Sequence, residues 1–287
     1  MRTTGSVDEV RTLVNMARQQ GRCVGCVPTM GALHAGHNSL IRIARDRCDQ
    51  VIVTLFVNAN QFNDSTDFQH YPRPLEDDLA ICKELGVDLV FQPEDATMDP
   101  PASETTVDVG RLGRILEGQH RPGHFRGVAT VVVKLLNIVR PDVAFFGMKD
   151  YQQQLVIRHL CRELHLPVEI TTCPTIRDDD GLALSSRNVL LTPDQRTAAT
   201  SLYRVLRLVQ DHLDQGATDL DQLRKIMRSE LETNPEITVD YATIVDAQTL
   251  AEPSRVEGEL VALVAAAVDD IRLIDNLPLT TTTPPAS

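Results

Sequence analysis

The sequence predicts an α/β domain built on a parallel sheet over residues 1–177, followed by a smaller α+β domain over residues 178–287. Up to residue 177, short runs rich in Val and Ile alternate with segments of helical periodicity, which is typical of parallel strands joined by right-handed crossovers. These runs show little polar alternation, as expected for strands covered on both faces. Beyond residue 178, two long helical patterns precede three consecutive strand-like runs, which indicates a second architecture.

The elements of the first domain follow from these runs in chain order. The first twenty residues place apolar side chains at helical spacing. The helix after the first strand has Leu40, Ile41, Ala44 and Cys48 on one stripe, as in an amphipathic helix. The predicted strands are residues 22–28, 49–58, 87–93, 142–147 and 167–176, and the further helices are residues 38–48, 75–85, 125–139 and 151–165.

The second domain opens with a strong helix start, the segment TPDQ. Thr192 is a good N-cap, Pro193 suits the first helical position, and Gln195 completes a capping box. The predicted elements are helices over 193–214 and 219–232 and strands over 237–245, 259–268 and 271–279. The tail TTTTPPAS, residues 280–287, is poor in apolar residues and is predicted to be disordered.

Composition narrows the classes of partner. Hydrophobic residues make up 42% of the 287 residues and charged residues 24%, which is globular composition. The sequence contains neither an apolar run of the roughly 18 residues that cross a bilayer nor a signal-peptide core, so we expect a soluble, cytoplasmic protein without a membrane partner. The net charge of −12 disfavours nucleic acid as a partner. An anionic substrate would therefore need cations gathered at its site.

The segment CVGC, with Cys23 and Cys26, invites a redox or a zinc interpretation. Both cysteines lie in a predicted buried strand, and the sequence has no second C-x-x-C to complete a zinc site. We favour two small core residues.

The segment PTMGALHAGH, residues 28–37, ends the first predicted strand and leads into the next helix. Gly31 and Gly36 permit a sharp turn and close approach of a ligand. His34 and His37 near a helix N-terminus form a donor set for phosphate oxygens. The alternatives are a structural or capping histidine pair, and a metal site of H-x-x-H spacing for which no third ligand is evident nearby.

Two further segments carry groups that suit a nucleotide. In FFGMKDYQQQ, Gly147, Lys149 and Asp150 follow a buried strand, so they emerge at the sheet edge where the histidines lie. Lys149 suits phosphate and Asp150 suits ribose hydroxyls; the alternative is a solvated pair at a helix start. In LALSSRN, Ser185, Ser186 and Arg187 can form an anion clamp on a closing loop, or a polar linker between domains.

Two more segments carry amides and cations. FVNANQF places the amides of Asn60 and Gln61 among apolar neighbours, where they cap backbone or bind a ligand's hydroxyls and carboxylate. RPGHFRGVAT adds Arg121, His124 and Arg126 as candidate local cations.

Taken together, these segments resemble the pantothenate synthetase family, the pantoate–β-alanine ligases. The H-x-G-H element alone suggests only the wider nucleotidyltransferase superfamily, but the full set is more specific and spreads over most of residues 25–192. The matching segments are PTMGALHAGH, FVNANQF, YPRPLEDDL, RPGHFRGVATVVVKLLNIVRPD, FFGMKDYQQ and GLALSSRN.

The resemblance implies a Rossmann-like first domain and a two-step reaction. The carboxylate of (R)-pantoate attacks the α-phosphate of ATP, with Mg2+ present, to give pantoyl adenylate and pyrophosphate. The amine of β-alanine then attacks the acyl carbon and releases AMP and pantothenate. The resemblance also implies a homodimer.

The resemblance assigns roles residue by residue. His37 takes the proton-donor role, with His34, Lys149 and Arg187 at the phosphates. Gln61 matches the glutamine that contacts pantoate and β-alanine, and Gln153 a second pantoate glutamine. The nucleotide-binding positions are Met30, Gly31, Ala32, Leu33, His34, Ala35, Gly36, His37, Gly147, Met148, Lys149, Asp150, Ile176, Leu184, Ser185, Ser186 and Arg187. Asp77 and Asp78 match acidic positions that hold magnesium or order the site.

Three residues depart from the family pattern. Ala59 replaces a usual proline, Met148 a usual glutamate, and Ala35 a common acidic residue. None removes a group assigned to chemistry. Two alternative functions remain open at this point: an adenylyl- or cytidylyltransferase whose acceptor is a phosphate, and a nucleotide-sensing module that binds ATP without catalysis.

Overall fold

A computed structural model describes residues 1–63 and 65–280. The chain forms two compact units, Met1–Ile176 and a second unit that begins at Arg177, and each is described by itself. The tail predicted to be disordered is residues 280–287. Thr280 is described and exchanges two hydrogen bonds with the Gln210 side chain, while residues 281–287 lie outside the described residues. In the described chain, no helix is long and apolar enough to cross a membrane.

The first unit is built on a parallel sheet of six strands, as counted over the described residues, in the spatial order β1-β4-β3-β2-β5-β6. The five predicted strands are confirmed, each with bounds differing by up to three residues. Strand β1 was not predicted, because its three largely exposed residues carry no apolar run. The strands are β1 (Arg2–Thr4), β2 (Val24–Thr29), β3 (Gln50–Leu55), β4 (Leu89–Phe91), β5 (Val143–Gly147) and β6 (Glu169–Cys173).

Helices cover both faces of this sheet, which explains why the strands read as continuous apolar runs. On one face, α1, α7 and α8 pack Val14, Leu135 and Ile157 into a core cluster. On the other face, α2 and α4 contribute Ile41 and Cys82 to a second cluster. The helices are α1 (Val7–Gln19), α2 (Ala35–Arg47), α3 (Ser65–His70), α4 (Leu75–Glu84), α5 (Asp95–Met98), α6 (Glu117–His120), α7 (His124–Val139) and α8 (Tyr151–Glu163).

Strand β2 lies at the point where the strand order reverses. It pairs with β3 on one side and with β5 on the other, so the connections that leave β2 and β5 diverge at their carboxyl ends. A crevice opens at such a switch point, and ligands of parallel sheets bind there. The predicted site segments follow these strands.

The second unit packs two helices, α9 (Pro193–Asp214) and α10 (Leu220–Glu232), against an antiparallel sheet. The sheet has the order β7 (Ile237–Asp246), β8 (Leu260–Val268), β9 (Ile271–Leu279). The predicted capping box is confirmed: Thr192 accepts the N–H of Gln195, and the Gln195 side chain accepts the N–H of Thr192. Both helices and all three strands agree with the sequence prediction to within about one residue at each end.

Candidate active site

The histidine loop, residues Met30–His34, connects β2 to α2 at the switch point. Gly31 has φ +82° and Ala32 has φ +50°, so two successive residues adopt left-handed backbone. The loop starts from a fixed point, because the Thr29 hydroxyl donates to the Thr54 carbonyl at 2.8 Å and accepts the Gly31 N–H at 3.2 Å.

Helix α2 begins at Ala35, three residues before the predicted start, because the two histidines themselves cap it. His34 is the N-cap, and its Nδ1 accepts the Gly36 N–H at 3.1 Å. The His37 Nδ1 accepts the His34 N–H at 3.4 Å. Histidine is not among the usual capping residues, so the sequence pattern did not indicate a helix start at this position.

Capping fixes the tautomer of both imidazoles. A neutral imidazole has one acceptor and one donor nitrogen, so a ring whose Nδ1 accepts carries its proton on Nε2. The rings of His34 and His37 lie 4.2 Å apart. In the described part of the chain, neither Nε2 has a hydrogen-bond partner. The capping and phosphate interpretations are therefore compatible, since they use different nitrogens.

Both histidines are held neutral. Burial, the neighbouring His34 and Lys149 lower the pKa of His37 to about 3. Burial, then Lys149, also lower the pKa of His34, while Asp150 opposes that shift. At pH 7 the pair therefore offers two N–H donors without formal charge, in contrast to a charged imidazolium acid.

The loop after β5 brings its predicted residues to the same place. Lys149 lowers the pKa of both histidines, and Asp150 acts on that of His34, so these four side chains lie within electrostatic reach of one another. A Cβ at Gly147 would meet nothing within 4 Å, so this turn borders open space. Ile176 follows β6, the neighbouring strand of β5. Lys149 is the cation that an anionic ligand would meet beside the histidines.

Gln61 has a fixed side-chain orientation. It ends a short 3-10 helix, Ala59–Gln61, and the Asn58 Nδ2 donates to its Oε1 at 3.2 Å. Its Nε2 then points at the Met30 sulphur, 2.8 Å away. One amide hydrogen of Gln61 is therefore donated to Met30, and the second is the donor that we expect to meet a ligand. The Asn60 amide, considered beside it from the sequence, instead contacts Asp99.

His124 and Arg121 both contact the backbone carbonyl of Gln61. The His124 Nδ1 donates to the Gln61 carbonyl at 2.8 Å, and Arg121 approaches the same carbonyl at 3.3 Å. Burial and Arg121 lower the pKa of His124 to about 4. His124 is therefore a neutral positioning group, and the sequence-based suggestion that it adds a positive charge is wrong.

Two of the three consecutive glutamines of α8 are held by protein partners, which leaves Gln153 as the candidate for a ligand. Gln152 is buried and bonds the backbone at Leu112, Ile115 and Glu117. Gln154 accepts from the Thr172 hydroxyl. Gln153 is half-buried, whereas Gln152 and Gln154 are buried; its contact with pantoate stays a prediction.

The structure does not supply a protein-only magnesium site in its described residues, where no group of three or more His, Cys, Asp or Glu side chains could hold a metal. Asp77 is exposed. Asp78 is buried, and its carboxylate accepts the backbone N–H groups of Ala32 and Leu33. A cavity of about 170 Å³ lies beside this contact. Its lining includes Met30, Gly31, Arg73, Asp78, Gln92 and Asp95.

The predicted clamp residues, Leu184 to Arg187, lie in the second unit. Ser185 caps a 3-10 helix, Ser186–Leu190, by accepting the Arg187 N–H at 3.3 Å. Ala183, the residue before this segment, forms an isolated β-bridge with Arg177, which in turn makes a bidentate ion pair with the buried Asp275 at 2.6 and 2.8 Å. The contribution of this loop to the site stays a prediction.

The fold and the site of the first unit define a nucleotide-binding α/β protein with a neutral histidine pair and a lysine at the switch point. Comparison with known proteins identifies the family. The model of the family described as pantoate–β-alanine ligase matches residues 2–278. The pantothenate synthetase of Moorella thermoacetica is 48% identical over 274 residues, which cover 96% of this chain and 97% of that protein.

Solved structures agree. A crystal structure of pantothenate synthetase from Thermus thermophilus superposes with a TM-score of 0.91 at 44% identity, covering 96% of this chain and 99% of that one. The pantoate–β-alanine ligase of Francisella tularensis, solved with "Beta-gamma ATP" and β-alanine, has a TM-score of 0.79 at 35% identity and covers 97% of each chain. The chain belongs to the pantoate–β-alanine ligase family and is a ligase.

Proposed function

We propose that this ligase condenses (R)-pantoate with β-alanine at the expense of ATP, through a pantoyl adenylate. Family membership over residues 2–278 supports the overall reaction. The observation that carries the mechanism is the pair of uncharged Nε2–H donors beside Lys149 at the sheet's switch point. A site that must stabilise charge developing on phosphates needs fixed donors of this kind.

In the first step, a pantoate carboxylate oxygen attacks the α-phosphorus of ATP, and the bond to the bridging oxygen breaks to release pyrophosphate. Negative charge grows on the phosphate oxygens. His34 and His37 donate hydrogen bonds to these oxygens, and Lys149 adds a positive charge. Because capping holds both rings before ATP arrives, the donors need no reorganisation during the reaction. His37 thus stabilises charge through its Nε2–H, and no transfer of its proton is required.

Gln61 and Gln153 suit the hydroxy acid. The Gln61 Nε2 donates to the sulphur of Met30, at the start of the histidine loop, so a carboxylate bound by its second amide hydrogen lies close to that loop. Two neutral amides bind a hydroxylated carboxylate without the strong cations that a phosphate acceptor would favour. This supports pantoate over a phosphate as the attacking group.

In the second step, the β-alanine amine attacks the acyl carbon of the adenylate, AMP leaves with the bonding electron pair, and the amine loses a proton. Leu184 to Arg187 are proposed to close over the nucleotide. Mg2+ is proposed to accompany the ATP phosphates, as it commonly keeps several waters and binds through substrate, and we assign it no protein ligand. The homodimer and the cytoplasmic location stay predictions from the sequence.

The test is an isotope-exchange assay. With ATP, labelled pyrophosphate and pantoate but without β-alanine, the protein should incorporate label into ATP, because the adenylate step is reversible. Adding β-alanine should give AMP and pyrophosphate in equal amounts. Formation of ADP and phosphate, or exchange without pantoate, would contradict the adenylate mechanism.

A further inference from the structure

The contact between α4 and the histidine loop links two segments that lie 45 residues apart in sequence. Asp78, in the first turn of α4, is only 3% exposed. Its Oδ2 accepts the Ala32 N–H at 2.9 Å, and its Oδ1 accepts the Leu33 N–H at 2.7 Å. Both bonds have an ionisable carboxylate as acceptor, and such bonds are the stronger class.

The histidine loop needs such a partner because of its backbone conformation. The left-handed residue Ala32 is strained for a residue with a Cβ. The N–H groups of Ala32 and Leu33 lie outside the hydrogen-bond ladders of β2 and α2. Without Asp78 these two donors would lack a protein partner beside the buried Leu33, which is costly. The carboxylate therefore stabilises a loop shape that the chain would not hold by itself.

Packing shows how closely the loop is fitted to this carboxylate. A Cβ placed on Gly31 would lie 2.9 Å from the Asp78 Oδ2. Position 31 therefore requires glycine for two reasons: its φ is +82°, and the Asp78 carboxylate approaches closely. At the N-terminus of α4 the helix dipole also favours a negative charge.

We propose that Asp78 is the positioning residue of the catalytic histidines: by holding Ala32 and Leu33, it fixes the residue that precedes His34 and so sets where the capped pair stands. His34 follows Leu33 directly, and its own N–H and ring close the cap of α2. A shift of the loop would move both Nε2–H donors together. Asp78 itself acts through the loop and is not assigned a contact with substrate or metal.

This role differs from magnesium ligation, the other role that its position suggests. Each Asp78 oxygen already accepts one backbone N–H, whereas the neighbouring Asp77 is exposed. If the acidic pair held magnesium, loss of either carboxylate should raise the magnesium requirement. If Asp78 positions the loop, only its own loss should matter, and added magnesium should not restore activity.

The experiment compares Asp78→Asn with Glu76→Gln and Asp77→Asn. Asparagine keeps the size of Asp78 but turns one acceptor into an NH2 that faces a backbone N–H. Glu76→Gln removes an exposed carboxylate from the same helical turn and is the matched control. We expect the rate of pantoate-dependent exchange for Asp78→Asn to fall about 10²-fold, the scale of a small misplacement of catalytic groups. The KM for pantoate should stay within about twofold, since Gln61 is untouched.

A second readout is amide hydrogen exchange of Ala32 and Leu33 measured by NMR. Compared with the wild type, both amides should exchange faster in Asp78→Asn, and their exchange rates should be unchanged in Glu76→Gln. This readout is independent of the proposed function on which the kinetic test rests. If the wild type catalysed no exchange, the proposed function would fail while the amide comparison still decided the role of Asp78.

Two results would overturn the inference. One is an Asp78→Asn protein with wild-type rate and unchanged amide protection. The other is an equal loss in Asp77→Asn and Asp78→Asn that added Mg2+ reverses in both. Should Asp78→Asn fail to fold, Gly31→Ala disturbs the same contact from the loop side. It should show the same loss of rate and of Ala32 amide protection, and wild-type values in it would count against the proposal.

Discussion

Replacing His37 by glutamine separates the observed role of its imidazole, capping α2, from the proposed one, donating to phosphate. The His37 Nδ1 accepts the N–H of His34 at 3.4 Å, which caps α2, while its Nε2–H is the proposed phosphate donor. Glutamine is a standard partner at the third position of a capping box. Its oxygen can accept the same N–H, but it does not place a donor where Nε2 stood.

The two functions carry different magnitudes. Removing one donor that acts in the transition state costs about 10²–10³ in kcat, or about 2.7–4 kcal/mol. Leaving one buried N–H unsatisfied costs about 1–3 kcal/mol of folding stability, and the long bond here favours the low end. We therefore expect His37→Gln and His37→Ala to lose about 10²–10³ in turnover. Only His37→Ala should lose about 1 kcal/mol of stability, or about 2–4 °C in Tm.

The assay is AMP release at saturating ATP, pantoate and β-alanine, paired with thermal unfolding of each variant. Slow turnover with an unchanged Tm in His37→Gln is the expected signature of a lost donor. If His37→Gln retained turnover within about twofold of the wild type and only His37→Ala was slow, the cap alone would explain the loss. The assignment of Nε2–H as a phosphate donor would then be refuted.

Three further predictions concern pH, packing and a family departure. Because burial lowers the folded-state pKa of His37 to about 3 from its ordinary 6.5, the folded protein binds fewer protons than the unfolded chain between those values. The contribution of His37 to stability is complete above pH 6.5 and is lost as the pH falls toward 3. The free energy of unfolding, measured in urea at about pH 7.5 and about pH 5, should therefore fall less between the two pH values in His37→Gln than in the wild type. Gly127→Ala would place a Cβ 2.2 Å from the carbonyl oxygen of Asn60 in the turn before Gln61; we expect a loss of about 1–3 kcal/mol in urea unfolding and a raised KM for pantoate, and a neutral result would contradict the packing. Ala59→Pro should raise stability by about 0.4–1 kcal/mol, because Asn58 has the extended backbone that precedes proline, and destabilisation would show that the turn needs the Ala59 N–H.

Much of the fold was predictable because its signals are local. Apolar runs and helical periodicity identified five of the six strands of the first unit, and the TPDQ capping box set the start of α9. The exception, β1, is held by its pairing with β4, a contact 87 residues away that leaves no mark in three polar or charged residues. The start of α2 was placed too late because two histidines replace the usual capping side chains.

The sequence by itself determined which segments come together: the histidine pair, the turn with Lys149 and the turn with Gln61 each follow a strand of the parallel sheet, so they meet at one edge. Their part in the chemistry is the proposal made above. The tertiary structure decided their states. Capping set the tautomers of His34 and His37, and burial made them neutral. Asp78, on α4, accepts a backbone N–H of the histidine loop. His124, which is neutral, donates to the backbone carbonyl of Gln61. The physical reason is that burial, and hydrogen bonds between residues about 45 to 65 positions apart, are properties of the folded chain and have no local pattern in its sequence.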